Sequence, residues 1–115
     1  MHKEFIPYEE ALAMKELGFK EPCLKYYFED RMLCKGFALM NWNNQNGCFN
    51  APLYQQAFRW FREKYKLKHS ITTGIIYSFT IDNKDYGGDD GKNWFNSYEE
   101  AELACLRKLI EIVKE

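Results

Sequence analysis

His69 stands beside Ser70, a nucleophile next to a base. The arrangement needs a third group to orient the imidazole, and no acid lies at a recognisable spacing. A place at the end of a basic helix accounts for His69, where a cation meets the negative end of the helix dipole. His2 lies in a terminus expected to fray. The four cysteines, Cys23, Cys34, Cys48 and Cys105, are irregularly spaced with no CxxC pair, and there are only two imidazoles. A structural zinc site is therefore not expected. Asp85, Asp89 and Asp90 sit among Gly87, Gly88 and Gly91. A calcium loop of the EF type would need alternating ligands and a distal Glu at fixed offset, and that pattern is absent. The stretch reads as a tight hairpin connection. No Lys-Ser/Thr follows the glycines, so it is not a phosphate loop. The other carboxylates spread along helix sides and turns. No catalytic residue, metal or cofactor is expected, and the chain reads as a non-enzymatic protein.

The elements that must position any site are clearer. A helix is predicted from about Pro7 to Leu17, with Glu9 and Glu10 at its positive end and Gly18 as a left-handed stop on which Phe19 folds back. Cys23–Phe28 and Met32–Leu39 read as a hairpin across the polar turn Glu29-Asp30-Arg31. Asn41 to Asn50 reads as an Asn/Gly-rich loop. The second helix runs from Pro52 to Tyr65. Its apolar stripe is Tyr54, Ala57, Phe58, Phe61 and Tyr65, with Gln55, Arg59, Arg62 and Lys66 opposite. Trp60 falls off the stripe, equally able to pack at the core edge or to project. Ile71 to Ile81 is β-branched and aromatic, a strand. Asp82 to Asp85 reads as a turn, with a further short strand near Asn93 to Phe95. Ser97-Tyr98-Glu99-Glu100 reads as a capping box. It opens a third helix whose buried side is Tyr98, Ala101, Cys105, Leu109, Ile112 and Val113. The expected class is α+β: an antiparallel sheet with helices on one face, in the order α-β-β-α-β-β(-β)-α.

At 115 residues, 46% hydrophobic and 17% aromatic, the chain suits a single domain over 1–115 with a packed core. No run approaches a membrane span or the apolar core of a secretion signal, so a cytoplasmic protein with reduced cysteines is expected. Lys and Arg number 16 against 17 Asp and Glu, a net charge of −1, which is not the footprint of a general nucleic-acid binder. The charge is uneven. Arg59 to His69 carries five basic residues and one acid, whereas Asp82 to Glu102 carries seven acids and two basic residues. Such polarity can orient a partner.

Two resemblances bear on function. The helix-strand-strand-helix order from Pro52 to Val113 resembles a double-stranded RNA-binding domain in layout. That family opens its second helix with lysines that meet phosphates. Here Ser97, Tyr98, Glu99 and Glu100 stand there, and acids repel a polyanion. The second resemblance covers most of the chain. The segments EEALAMKELGF, EPC, APLYQQAFRWFREKY and NSYEEAELACLRKLIEIVKE are similar to a family of small proteins carried by phages and prophages of Bacteroidetes-type bacteria. The family has no established general activity. The resemblance implies mobile elements, whose small aromatic-rich proteins often bind a host-defence component. Some are anti-CRISPR proteins that block a guide-RNA nuclease.

The expected function is therefore binding and inhibition of a host-defence protein or ribonucleoprotein, with no membrane partner. Trp42, Trp60 and Trp94 are the expected exposed aromatic contacts. Arg59, Arg62 and Lys66 are the basic contacts, and Asp85, Asp89 and Asp90 an acidic strip. The alternatives are a nucleic-acid-binding accessory protein using Arg59, Arg62, Lys66 and Lys68, or a sponge for a nucleotide signal held among Tyr and Trp.

Overall fold

The computed structural model describes residues 4–44, 47–73, 77–86 and 95–115. Its elements are α1 (Tyr8–Glu16), β1 (Cys23–Phe28), β2 (Leu33–Met40), β3 (Cys48–Ala51), α2 (Tyr54–Tyr65), β4 (His69–Thr72), β5 (Ser78–Ile81), β6 (Lys84–Tyr86) and α3 (Tyr98–Lys114). The α+β class stands. The strands form two three-stranded antiparallel sheets, β2-β1-β3 and β4-β5-β6. The chain divides into two compact units, Met1–Gln56 and Ala57–Glu115, with the division inside α2.

In the first unit, α1 ends where glycine permits it. Gly18 adopts φ 101°, its N–H donates to Lys15 O, and Phe19 N–H donates to Met14 O at 2.9 Å. This closing pattern satisfies the last helical carbonyls, and Phe19 is buried behind it. The hairpin forms as expected. Arg31 takes φ 71° in the turn, its N–H donating to Phe28 O, while Asp30 Oδ1 accepts from Met32 N–H. Arg31 also lies over the Tyr8 ring and pairs with Glu9 at 2.8 Å.

The expected loop from Asn41 to Asn50 instead holds a single 3-10 turn at Trp42–Asn44 and a strand, β3, paired to β1 from Lys25↔Ala51 to Phe28↔Cys48. All four residues of β3 are buried. A strand covered on both faces has no alternating pattern to betray it, and four residues among asparagines read as loop. The asparagines are structural. Asn50 Oδ1 accepts from Trp42 N–H at 2.7 Å, and its Nδ2 donates to Asn41 Oδ1. Asn43 Oδ1 accepts from Asn50 N–H, and its Nδ2 donates to Phe19 O. Side chains thus take the place of ladder bonds where the chain turns.

In the second unit, the α2 residues Ala57, Phe58 and Phe61 are buried, as the stripe predicts. Where one strand is expected from Ile71 to Ile81, the described residues include parts of two, β4 and β5, registered His69↔Ile81 to Thr72↔Ser78. The turn after β5 is tighter than expected. Asp82 and Asn83 both take positive φ, 52° and 71°, and Ile81 faces Lys84 across a two-residue loop. Asn and Asp tolerate this twist, which suits the right-handed twist of the strands. Lys84 and Asp85 therefore lie on β6, opposite Ile81 and Thr80. The strand expected near Asn93 falls mostly outside the described residues; Phe95 forms one antiparallel bridge to Tyr77. α3 packs on β4 and β5. Ser97 caps it, its Oγ accepting from Glu100 N–H at 3.2 Å. Its buried side is Ala101, Cys105, Leu106, Leu109 and Ile110. Tyr98 is exposed and Ile112 and Val113 half-buried, so the buried stripe bends away from the expected one.

Candidate interaction surface on the first sheet

Among the described residues, the chemistry-bearing side chains do not converge. His69 and Ser70 are neighbours on β4, so their side chains leave opposite faces of the strand. Ser70 is exposed, whereas the His69 ring stacks on Phe58 with centroids 3.9 Å apart. Burial, reinforced by the Arg62 charge, lowers the His69 pKa and favours the neutral ring. This corrects the helix-end account of His69. Burial pushes the Cys23 and Cys105 thiols up to about 12, with help from the charges of Glu21 and Glu102 respectively. Cys48 is raised in the same way by burial and by Cys34. Such thiols are poor nucleophiles at neutral pH. Among the described residues no group of three or more His, Cys, Asp or Glu could hold a metal ion. Nor is any described helix long and apolar enough to cross a membrane.

The aromatic contacts expected from the sequence are corrected. Trp42 and Trp60 are both buried. Trp60 packs edge-on against Phe61 and Tyr65, with the Lys64 ammonium 5.2 Å from its ring. Trp94, Asp89 and Asp90 lie outside the described residues. Arg59, Arg62 and Lys66 are exposed, on α2 and directly after it. Lys66 also ends the helix, at φ 61°, with Leu67 N–H donating back to Phe61 O.

Trp42 instead builds a surface. The side chains of β1 alternate: Cys23, Lys25 and Tyr27 leave one face of the sheet, Leu24, Tyr26 and Phe28 the other. The first face is covered. Tyr27 and Phe49 meet Tyr8 of α1 edge-on, and Tyr27 Oη donates to Ile6 O at 2.8 Å. The second face carries Trp42, stacked on Tyr26 with centroids 4.5 Å apart. Its Nε1 donates to Cys23 O at 2.8 Å. Gly36 makes the seat: a Cβ there would lie 2.1 Å from Trp42 Cζ2. Phe37 meets the indole edge-on at 5.5 Å.

Around this seat the ladder breaks. Cys23 faces Met40 and Lys25 faces Lys35, so Leu24 alone confronts Gly36, Phe37, Ala38 and Leu39. A bulge of this size bends the strand and re-aims its side chains. Phe37 is 89% exposed, Leu39 63%, Met32 60%, Leu24 56% and Phe28 40%. Five large apolar side chains thus stand in water on one hairpin, whereas single exposed apolar residues are ordinary on a protein surface. Sequence reasoning placed Phe28, Met32, Phe37 and Leu39 in strands without their direction. The signal it passed over is the almost unbroken apolar run of β2, which has no polar residue alternating on an outer face except Lys35.

The chain matches no protein-family model, no curated protein and no solved structure.

Proposed function

We propose that this chain is a non-enzymatic binding protein that inhibits another macromolecule through the outer surface of the β1–β2 hairpin. The exposure of Leu24, Phe28, Met32, Phe37 and Leu39 on one hairpin carries the reading. Apolar side chains gain about 25 cal/mol for each Å² removed from water, so covering several at once favours a partner. Trp42 serves as a buried strut beneath the surface, stacked on Tyr26, not as a contact. The partner proposed is a host-defence effector, with a guide-RNA nuclease as the specific candidate. The helix motifs that resemble phage and prophage proteins support that choice. Plaque assays with and without the gene, together with capture from host lysate, test it. Expected is protection of phage and one specific captured protein, both lost in the double variant Phe37→Asp/Leu39→Asp. An unchanged plaque count with no captured protein sinks the reading.

A second reading has its own observation. Arg59, Arg62, Lys64, Lys66 and Lys68 are all exposed along α2 and the segment leading to β4. Such a run suits a nucleic-acid backbone, and binding through it would fall steeply with salt. A gel shift at low salt that Arg62→Glu abolishes supports this accessory role; no shift at all ends it.

A further inference from the structure

Resting on the hairpin surface proposed above, we infer that the free edge of β2 takes an extended partner segment in which acidic and apolar side chains alternate. Among the described residues β2 is the outermost strand of its sheet, and its outward N–H and C=O groups have no strand partner there. From Leu33 to Lys35 it runs in regular register with Tyr27, Tyr26 and Lys25, and the bulge begins at Gly36. The regular edge is short, and the bulge stops a partner strand from running on.

The two faces of that edge differ. On one side Lys35 stands opposite Lys25 as its direct cross-strand partner. Like charges so placed repel. Neither β1 nor β2 contains an acidic residue. The Lys25 ammonium settles 4.6 Å from the Phe5 ring centroid, and among the described residues neither lysine has a carboxylate partner. On the other side lie Cys34, Tyr26 and the exposed Phe37. A strand laid along β2 sends successive side chains to these two faces in turn. One set would meet Lys35, which lacks a counter-charge and has Lys25 one strand further in, and the other an apolar surface. The chemistry that fits is therefore period-two, carboxylate then apolar. Lys35 also weighs against a second copy of this chain. β2 laid against β2 brings lysine towards lysine, a device by which sheet edges avoid themselves while admitting an opposite charge.

The probe is a capped, fluorescently labelled octapeptide of alternating glutamate and valine, titrated onto the full chain by anisotropy. Expected is saturable binding that weakens at least about tenfold with Lys35→Glu, and as much with the block isomer, four glutamates then four valines. N-methylation of alternate backbone amides should abolish binding, and Lys114→Glu should leave it unchanged. Circular dichroism confirms that the exposed Lys35→Glu variant folds. Absence of binding, equal binding of the block isomer, or indifference to Lys35→Glu overturns strand pairing. So does a dimer in sedimentation that Phe37→Asp dissolves, which would seat a second copy there. If the peptide fails while inhibition stays sensitive to Phe37→Asp/Leu39→Asp, only strand pairing falls; if the peptide binds but plaques are unaffected, the inhibitory reading falls.

Discussion

The two sheets are alike in strand number and opposite in what they do with their aromatic residues. In the second unit, Phe79 and Ile81 of β5 are buried, and Phe79 lies between Tyr86 at 5.3 Å and Phe95 at 5.9 Å, stacked on both. β4 alternates half-buried and exposed residues in the manner of a sheet with one wet face. Among the described residues of that unit, Tyr98 is the one large apolar side chain in the open. In the first unit, five such side chains stand on one hairpin. The regular two-residue turn and unbroken register of β5–β6 keep side chains in phase with the core. The bulge of β2 throws Phe37 and Leu39 out of phase. A three-stranded sheet this small can hide its apolar side chains, as the second unit does; the first leaves five of them exposed on its hairpin.

The sharpest test substitutes one phenylalanine from each sheet. Phe79→Ala should destabilise by ~3–5 kcal/mol, and Phe37→Ala by less than about 0.5 kcal/mol, in urea unfolding followed by circular dichroism. Similar losses at both would break the comparison. Next, Gly36→Ala should cost about 1–3 kcal/mol, because its methyl must displace the indole of Trp42. A blue- or red-shift of the Trp emission would accompany it. An unaltered spectrum and stability would mean that Trp42 is not seated on Gly36.

Smaller effects lie in the helices of the second unit. Ser97→Ala should cost ~1 kcal/mol by removing the cap on α3. Lys66→Gly should stabilise by about 1 kcal/mol, since a side chain at φ 61° is strained and glycine is not. Thermal melts check both. The remaining effect is a pH dependence. Burial, with the Glu99 charge second, raises the Glu102 pKa from 4.5 to about 7. The folded state then holds this proton more tightly than the unfolded chain. Its contribution is full below pH 4.5 and is lost as pH rises through about 7. Glu102→Gln should flatten that part of the stability–pH curve, as the difference between the two proteins' urea midpoints. A curve that keeps its slope in the variant would assign it to other groups.

Much of the fold was legible because its signals are local. Gly18 stops α1, Ser97 caps α3 and Glu29-Asp30-Arg31 turns the hairpin, each through contacts within a few residues. The period of α2 showed its buried side. The site was less legible. Trp42 and Trp60 read as contacts by residue type, yet Trp42 lies on Gly36 and Tyr26, and Trp60 among Phe61 and Tyr65. β3 was hidden because its pairing partner, β1, lies some twenty residues earlier in the chain, and its asparagines bond across a turn rather than along it.

What the amino-acid order alone determined is where helices begin and end and that strands and helices are mixed, because dihedral freedom, caps and periodicity act over one or two turns. Which aromatic residues are struts and which face outward was decided only in three dimensions. Burial depends on what another strand brings to the same spot, and one bulge opposite Leu24 was enough to turn an apolar run out into water.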